Sequence, residues 1–336
     1  MTKSDDVKEI LEDLGDEIQF LDDRIVKLLL RHISNEERKG ISENKEERRD
    51  AGEDKKRKSD RKIATARIIL GAIREANQEK QSSRISSKKK VESFMVSCFK
   101  DEDLKREMFS FKKKEPKGNQ CGGESCVWFD SENKEVIKAV NPYCYLKNEN
   151  IKNGDLLNFI EDKIELYNAV FPETAYTLEG FEHLKIWDDI DEVYKMSFRV
   201  IVKQPLVEGL SISNVFENFE NIQKYSFEEM KDYNEDLPEE IFDFVKYLSK
   251  SSNSNASFKN KLYNLMIEDL NRRVNIDSFR KVINASKYIG GIMKNGRIVI
   301  NDLHCNNVFL ALDKKKKVSF AYVDANPTLI EELNEK

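Results

Sequence analysis

Apolar positions recur at spacings of three and four from Ile10 to His32, at Leu11, Leu14, Ile18, Leu21, Ile25, Leu28 and Leu29. That period predicts an amphipathic helix. A second run, Lys62 to Ala76, repeats it with Ile63, Ala66, Ile69, Leu70 and Ile73. Between them, 35–61 is almost all charge, which fits either a solvated helical extension or a disordered link. The two helices are expected outside the main core, as a peripheral hairpin, an oligomerisation arm or a partner-recruiting arm. Gln81 to Lys90 reads as a Ser/Lys linker. The expected divisions are a charged, partly disordered helical region over 1–90 and a linker with a short helix over 91–117.

After Lys117 the helical period gives way to short apolar runs separated by turn residues. Cys126 to Phe129 and Glu135 to Val140 read as strands joined by an Asp-Ser-Glu-Asn turn. Leu156 to Val170 returns to a helical stripe through Leu157, Ile160, Ile164 and Tyr167. Tyr176 to Phe181 and Tyr194 to Gln204 are further strands, the latter ended by Pro205. Helices are expected over much of Phe216 to Ile292. Short strands follow at Ile298 to Ile300, Val308 to Leu312 and Val318 to Val323. Strands, then helices, then a hairpin carrying acids is an α+β layout.

Composition narrows the partners. The 336 residues carry 57 basic and 62 acidic side chains, a formal charge of -5. This argues against general nucleic-acid binding. Five cysteines and three histidines show no metal-ligand spacing, and they are too few for a disulfide scaffold. No apolar run reaches membrane-spanning length, and Met1 to Glu12 is too acidic for a signal peptide. A cytoplasmic, non-membrane protein is expected.

Two clusters suggest chemistry. Gly118, Gly122 and Gly123 precede the strand that carries Lys138. Glycines let backbone N–H groups approach a phosphate, and a lysine on the next strand supplies a point charge. Without a partner, such a lysine would be expected to snorkel. Glu161 lies beside the apolar stripe of its helix and can reach inward to hold Lys138. The second cluster is Asn301-Asp302-Leu303-His304-Cys305-Asn306-Asn307, followed downstream by Tyr322-Val323-Asp324. Asn307 and Asp324 offer hard oxygens to a divalent ion, leaving Asp302 to orient or deprotonate a hydroxyl.

On these residues the chain resembles the protein-kinase-like superfamily. The Gly122 to Val140 stretch resembles a shortened glycine-rich loop and its lysine strand. Ile201 to Gly209 resembles the strand leading into a hinge, NDLHCNN the catalytic loop, and Asp324 the metal-binding aspartate. More narrowly, LYNAVFPETAY and NDLHCNNV resemble kinase domains of polyvalent proteins from phages and conjugative elements, with Phe171 to Tyr176 the most specific piece. The resemblance implies a two-lobed fold, with a small lobe over 118–206 and a reduced large lobe over 207–336. It implies that Lys138 grips the ATP α/β-phosphates, that Glu161 pairs with it, and that Asp302 is the catalytic aspartate. Asn307 and Asp324 then hold Mg2+, while Gly118, Gly122, Gly123, Gln204 and Leu206 contact the nucleotide.

The chain departs from the family pattern in lacking G-x-G-x-x-G, in having Asn301 before Asp302 and His304 two residues after it, and in having Ala325-Asn326 after Asp324. The expected activity is an ATP- and Mg2+-dependent phosphotransfer to a host or element-encoded protein. The alternatives are an inactive kinase-like module with a binding or structural role, a small-molecule kinase, and a helical adaptor whose function lies in the first hundred residues.

Overall fold

Alternating side chains build the first sheet. Strand β1 (Ser125–Asp130) pairs antiparallel with β2 (Glu135–Val140), with Ser125 opposite Val140 and Asp130 opposite Glu135. Asp130 closes the intervening turn: its carboxylate accepts from the Asn133 N–H at 3.0 Å and from Asn133 Nδ2 at 2.7 Å. Strand β3 (Thr177–Asp188) pairs antiparallel with β4 (Val193–Pro205), and the sheet order is β1-β2-β4-β3. Every second residue turns to the same face, so Cys126, Trp128, Ile137, Ala139, Leu184 and Ile201 form one buried cluster. The computed structural model describes residues 51–79, 88–99, 124–144, 156–188, 193–231, 238–274, 285–286, 291–295 and 298–329. The amphipathic run at Ile10 to His32 lies outside these.

The second helical run belongs to this sheet, contrary to the expectation of a peripheral arm. Helix α1 (Ala51–Glu79) begins well before the apolar period and absorbs part of the charged stretch. It buries Ile63, Ala66, Ile69, Leu70 and Ile73. The Leu178 N–H donates to Ser59 Oγ at 3.1 Å, and Lys62 Nζ donates to the Glu179 carbonyl at 2.8 Å. Sequence period revealed the apolar face, but not that β3 would cover it. Helix α2 (Lys88–Cys98) brings Phe99 edge-on to Phe181, ring centres 5.0 Å apart. A Cβ on Gly180 would stand 2.8 Å from the Phe99 carbonyl oxygen, so only glycine fits there.

Helix α3 is continuous but not uniform: Leu156–Asn158 is α-helical, Phe159–Leu166 is wound as a π-helix and Tyr167–Val170 is α-helical again. The chain divides into two compact units inside this helix. The first unit takes the described residues up to Glu161 together with Tyr176–Gln204; the second takes Asp162–Ala175 and the described residues from Pro205 onward. The boundary therefore differs from the sequence-based one, because α1 and α2 join the first sheet and the Phe171–Ala175 stretch joins the second unit.

In the second unit, β5 (Gly209–Ser211) leads into α4 (Ile212–Glu217), whose N-terminus is capped by Ser211 Oγ accepting from the Asn214 N–H at 3.1 Å. Helices α5 (Phe219–Lys224), α6 (Phe227–Lys231), α7 (Glu239–Lys250) and α8 (Asn255–Val274) follow. Their core includes Val215, Ile222, Phe242, Val245, Phe258 and Leu262. The helical stretch expected to reach Ile292 stops earlier, and strands β6 (Ala285–Ser286) and β7 (Gly291–Asn295) take its place. Strand β8 (Ile298–Leu303) pairs with β7 and with β11 (Asn326–Leu329), giving a sheet ordered β11-β8-β7-β6. Strands β9 (Val308–Leu312) and β10 (Val318–Tyr322) form a hairpin in a separate sheet ordered β10-β9-β5. A Cβ on Gly209 would fall on the Leu310 carbonyl, so the β5–β9 pair requires glycine there.

The architecture is mixed α+β with antiparallel sheets. Cys98, Cys144 and Cys305 are not disulfide-bonded, whereas buried Cys126 is. Among the described residues no helix is long and apolar enough to cross a membrane.

Candidate functional site

Lys138 does not snorkel. It occupies β2, an interior strand of the first sheet, and is only 4% exposed. Its ammonium group stands 5.5 Å from the centre of the Tyr176 ring, within cation–π range. A lysine this buried is rare and needs compensating contacts. Glu161 lies in the π-wound part of α3, half-exposed, with Oε2 4.0 Å from Arg74 Nη1. Arg74 also donates to Asn158 Oδ1 at 2.5 Å, so α1 supplies the cation beside Glu161. Gln204 is buried at the end of β4, and Leu206 is half-buried just beyond it. Gly118, Gly122 and Gly123 lie outside the described residues.

The second unit brings the other three candidates to one corner of its backbone. Asp302 is on β8, one residue beyond the paired Asn301 and Asn326. The chain then makes a short 3-10 turn at Cys305–Asn307, closed by the Asn307 N–H donating to the His304 carbonyl at 2.8 Å. The Asn307 carbonyl accepts from the Val323 N–H at 2.8 Å, which places Asn307 beside the residue preceding Asp324. Asp324 is where the chain leaves the β9–β10 hairpin to become β11 in the other sheet, and its φ is 54°. Two lysines share that left-handed region, but Lys134 and Lys316 sit in hairpin turns.

Asn307 and Asp324 carry side-chain oxygens, the donor type that a hard cation takes. They are half-buried oxygen donors on adjoining backbone segments. Among the described residues no group of three or more His, Cys, Asp or Glu gathers as a self-sufficient metal cage. An ion held here would complete its shell with phosphate and water oxygens, the habit of Mg2+.

A polar network that the sequence reading did not assemble lies behind Asp324. The Tyr322 carbonyl accepts from Tyr167 Oη at 2.7 Å and from Thr174 Oγ1 at 2.7 Å. The Tyr322 hydroxyl donates to Asp269 Oδ2 at 3.1 Å. Burial pushes that phenol well above its ordinary pKa, and the Asp269 charge adds to the push. Arg273 ties the network together: Nε donates to Asp269 at 2.6 Å, Nη1 meets Glu173 at 2.6 Å and Nη2 donates to the Phe320 carbonyl at 2.8 Å. Burial works against the guanidinium charge, but Glu173 and Asp269 outweigh it and raise its pKa. The Phe171 to Ala175 part of the distinctive FPETAY segment is thus bound to α8 and β10 within one unit. The sequence carries two signals of it, Tyr167 on the apolar stripe and the Phe171 to Tyr176 segment, but neither names the partners.

Beside the same turn, Tyr263 Oη lies 3.5 Å from Cys305 Sγ, and burial raises its phenol pKa. No protein-family profile, curated protein or solved structure matches this chain.

Proposed function

We propose that this protein is an ATP- and Mg2+-dependent phosphotransferase acting on a hydroxyl acceptor, a protein ahead of a small molecule. The observation that carries the reading is the Asn307–Asp324 corner. Two oxygen donors are joined through the Asn307 carbonyl and the Val323 N–H, and Asp324 adopts a φ of 54°. Non-glycine residues in that region are uncommon and gather at functional sites.

In this reading Lys138 grips the nucleotide phosphates, and its burial removes that charge from bulk water, so that it acts more strongly on a phosphate. Glu161 is the expected partner of Lys138, which requires its carboxylate to exchange Arg74 for Lys138. Gly118, Gly122 and Gly123 offer backbone N–H groups, and Gln204 and Leu206 border the nucleotide. Asn307 and Asp324 hold the ion, which when bound neutralises charge on the phosphate oxygens. Asp302 orients the acceptor hydroxyl and accepts its proton late in the transfer.

Specificity belongs to the helices after the hinge. Glu228, Glu239 and Glu240 are exposed there, whereas Glu229 is engaged at the N-terminus of α6 by the Ser226 N–H at 2.7 Å. Asp232, Glu235 and Asp236 of the same acidic run lie outside the described residues. Exposed acids favour a cationic acceptor, such as a basic protein segment.

Transfer of labelled γ-phosphate into a host lysate tests the proposal. Protein labelling by wild type that is lost in Asp302→Ala is expected. Label confined to small molecules would replace the protein acceptor with a metabolite. No transfer by wild type, with no nucleotide binding in calorimetry, would refute the phosphotransferase.

A further inference from the structure

The peptide plane between Tyr322 and Val323 is held at both of its polar groups. Its C=O accepts from Tyr167 and Thr174, each at 2.7 Å, and its N–H donates to the Asn307 carbonyl at 2.8 Å. A peptide unit is planar, so fixing both groups fixes the orientation of the whole plane. On the far side of Asp324, Ala325 is fully buried and β11 begins at Asn326. Asp324 is therefore mounted between a pinned plane and a buried residue, in the left-handed region, which aspartate adopts more readily than most non-glycine residues but which is still uncommon.

One donor would satisfy the carbonyl, yet two are supplied. The two hydroxyls also lie 2.9 Å apart. Each carries a single proton, so three short contacts share two hydrogens. Either both hydroxyls donate to Tyr322, or one donates to the other, which then donates to Tyr322. In both cases the carbonyl is gripped from the last turn of α3 and from the 3-10 turn Pro172–Thr174. The ring of Tyr322 is fixed as well, 4.9 Å from the Phe171 ring and 5.0 Å from the Arg273 guanidinium carbon.

We infer that Thr174 and Tyr167 are positioning residues that hold Asp324 in its metal-binding conformation by gripping the Tyr322 carbonyl. The inference rests on the phosphotransferase reading and assigns its metal affinity to residues that do not touch the metal. Outer hydrogen bonds of this kind commonly set metal affinity by about 10–100-fold.

The test compares wild type with Thr174→Val, which keeps the side-chain shape but removes the hydroxyl, and with Thr174→Ser, which restores it. Calorimetry reads the Mg2+ concentration needed for half-maximal binding of a non-hydrolysable ATP analogue. Amide hydrogen exchange reads Val323, Asp324 and Ala325 in the protein alone. Thr174→Val is expected to raise the Mg2+ requirement about tenfold and to speed exchange at those three amides, with Thr174→Ser close to wild type. Ile222→Val, a core change on α5, controls for lost stability and is expected to lower the melting temperature without moving the Mg2+ requirement.

If Asp324→Asn abolishes metal-dependent binding while Thr174→Val leaves both readouts unchanged, the positioning role is overturned and the phosphotransferase reading stands. If wild type binds no nucleotide with Mg2+, both fall together.

Discussion

Arg273 shows how much one side chain can organise. Its guanidinium serves two carboxylates and a strand carbonyl while lying against the Phe171 and Tyr322 rings. Arg273→Ala leaves Asp269 and Glu173 without their shared cation in a partly enclosed setting. A loss of about 2–4 kcal/mol is expected, somewhat below the value for a fully buried pair because Glu173 is 35% exposed. Glu173→Gln, at the exposed end, is expected to cost under about 1 kcal/mol. Urea denaturation of the full chain measures both. At Asp130, the Asn133 side-chain and backbone donors hold the carboxyl below its ordinary 3.8. A folded-state value below the unfolded one means that the carboxylate contributes stability above pH 3.8. That contribution is lost as pH falls through the folded value. Asn133→Ala removes the side-chain donor, the larger source of the shift, and leaves the backbone one, so the stability gap between it and wild type is expected to narrow as pH drops below 3.8. Matching curves at pH 7 and different ones at pH 3 would contradict this.

Among the elements, α1 changes most on passing from sequence to structure. Its apolar stripe faces β3, so it is part of the first unit's core. Removing residues 1–79 strips α1 from β3 and withdraws the Ser59 and Lys62 contacts to Leu178 and Glu179. That truncation is expected to be insoluble or to lose cooperative unfolding, whereas removal of residues 1–50 alone leaves the β3 contacts of α1 in place. A well-folded product of the longer truncation, by circular dichroism and thermal melt, would show that the sheet stands without α1. The experiment also bears on the adaptor alternative: loss of activity in the longer truncation reports an unfolded core, not a missing docking arm. The π-wound centre of α3 belongs to this scale too. It adds backbone between one turn and the next, and it carries Glu161 beside Arg74 and brings Lys163 into a buried position.

For the molecule as a whole, ligand linkage is the most direct readout. A ligand that binds only the folded chain stabilises it by RT ln(1 + [L]/Kd), about 2.7 kcal/mol at a hundredfold excess over Kd. Mg2+ with ATP is therefore expected to raise the melting temperature of the wild-type protein. Removing the metal with EDTA should abolish the shift. Lys138→Met, close in volume and without charge, and Asp324→Asn are each expected to reduce it. Loss of the shift in a variant would tie that residue to the binding of Mg2+ with ATP. An equal shift with and without Mg2+ would remove Asn307 and Asp324 from nucleotide binding.

What the sequence determined by itself was local. Periods of two and of about 3.6 located β1, β2, β4, α1 and α3, because burial of one face imposes that spacing whatever the partner. Apolar runs flanking Asp302, Asn307 and Asp324 located the strands around them. Tertiary structure alone decided which faces meet: that α1 covers β3, that Gly209 lies against the Leu310 carbonyl, and that the chain changes sheets at Asp324. The network of Tyr167, Thr174, Asp269, Arg273 and Tyr322 spans 155 residues between its first and last members. Such contacts leave no periodic trace, since a hydroxyl or guanidinium at one position requires only a partner in space, at any distance along the chain.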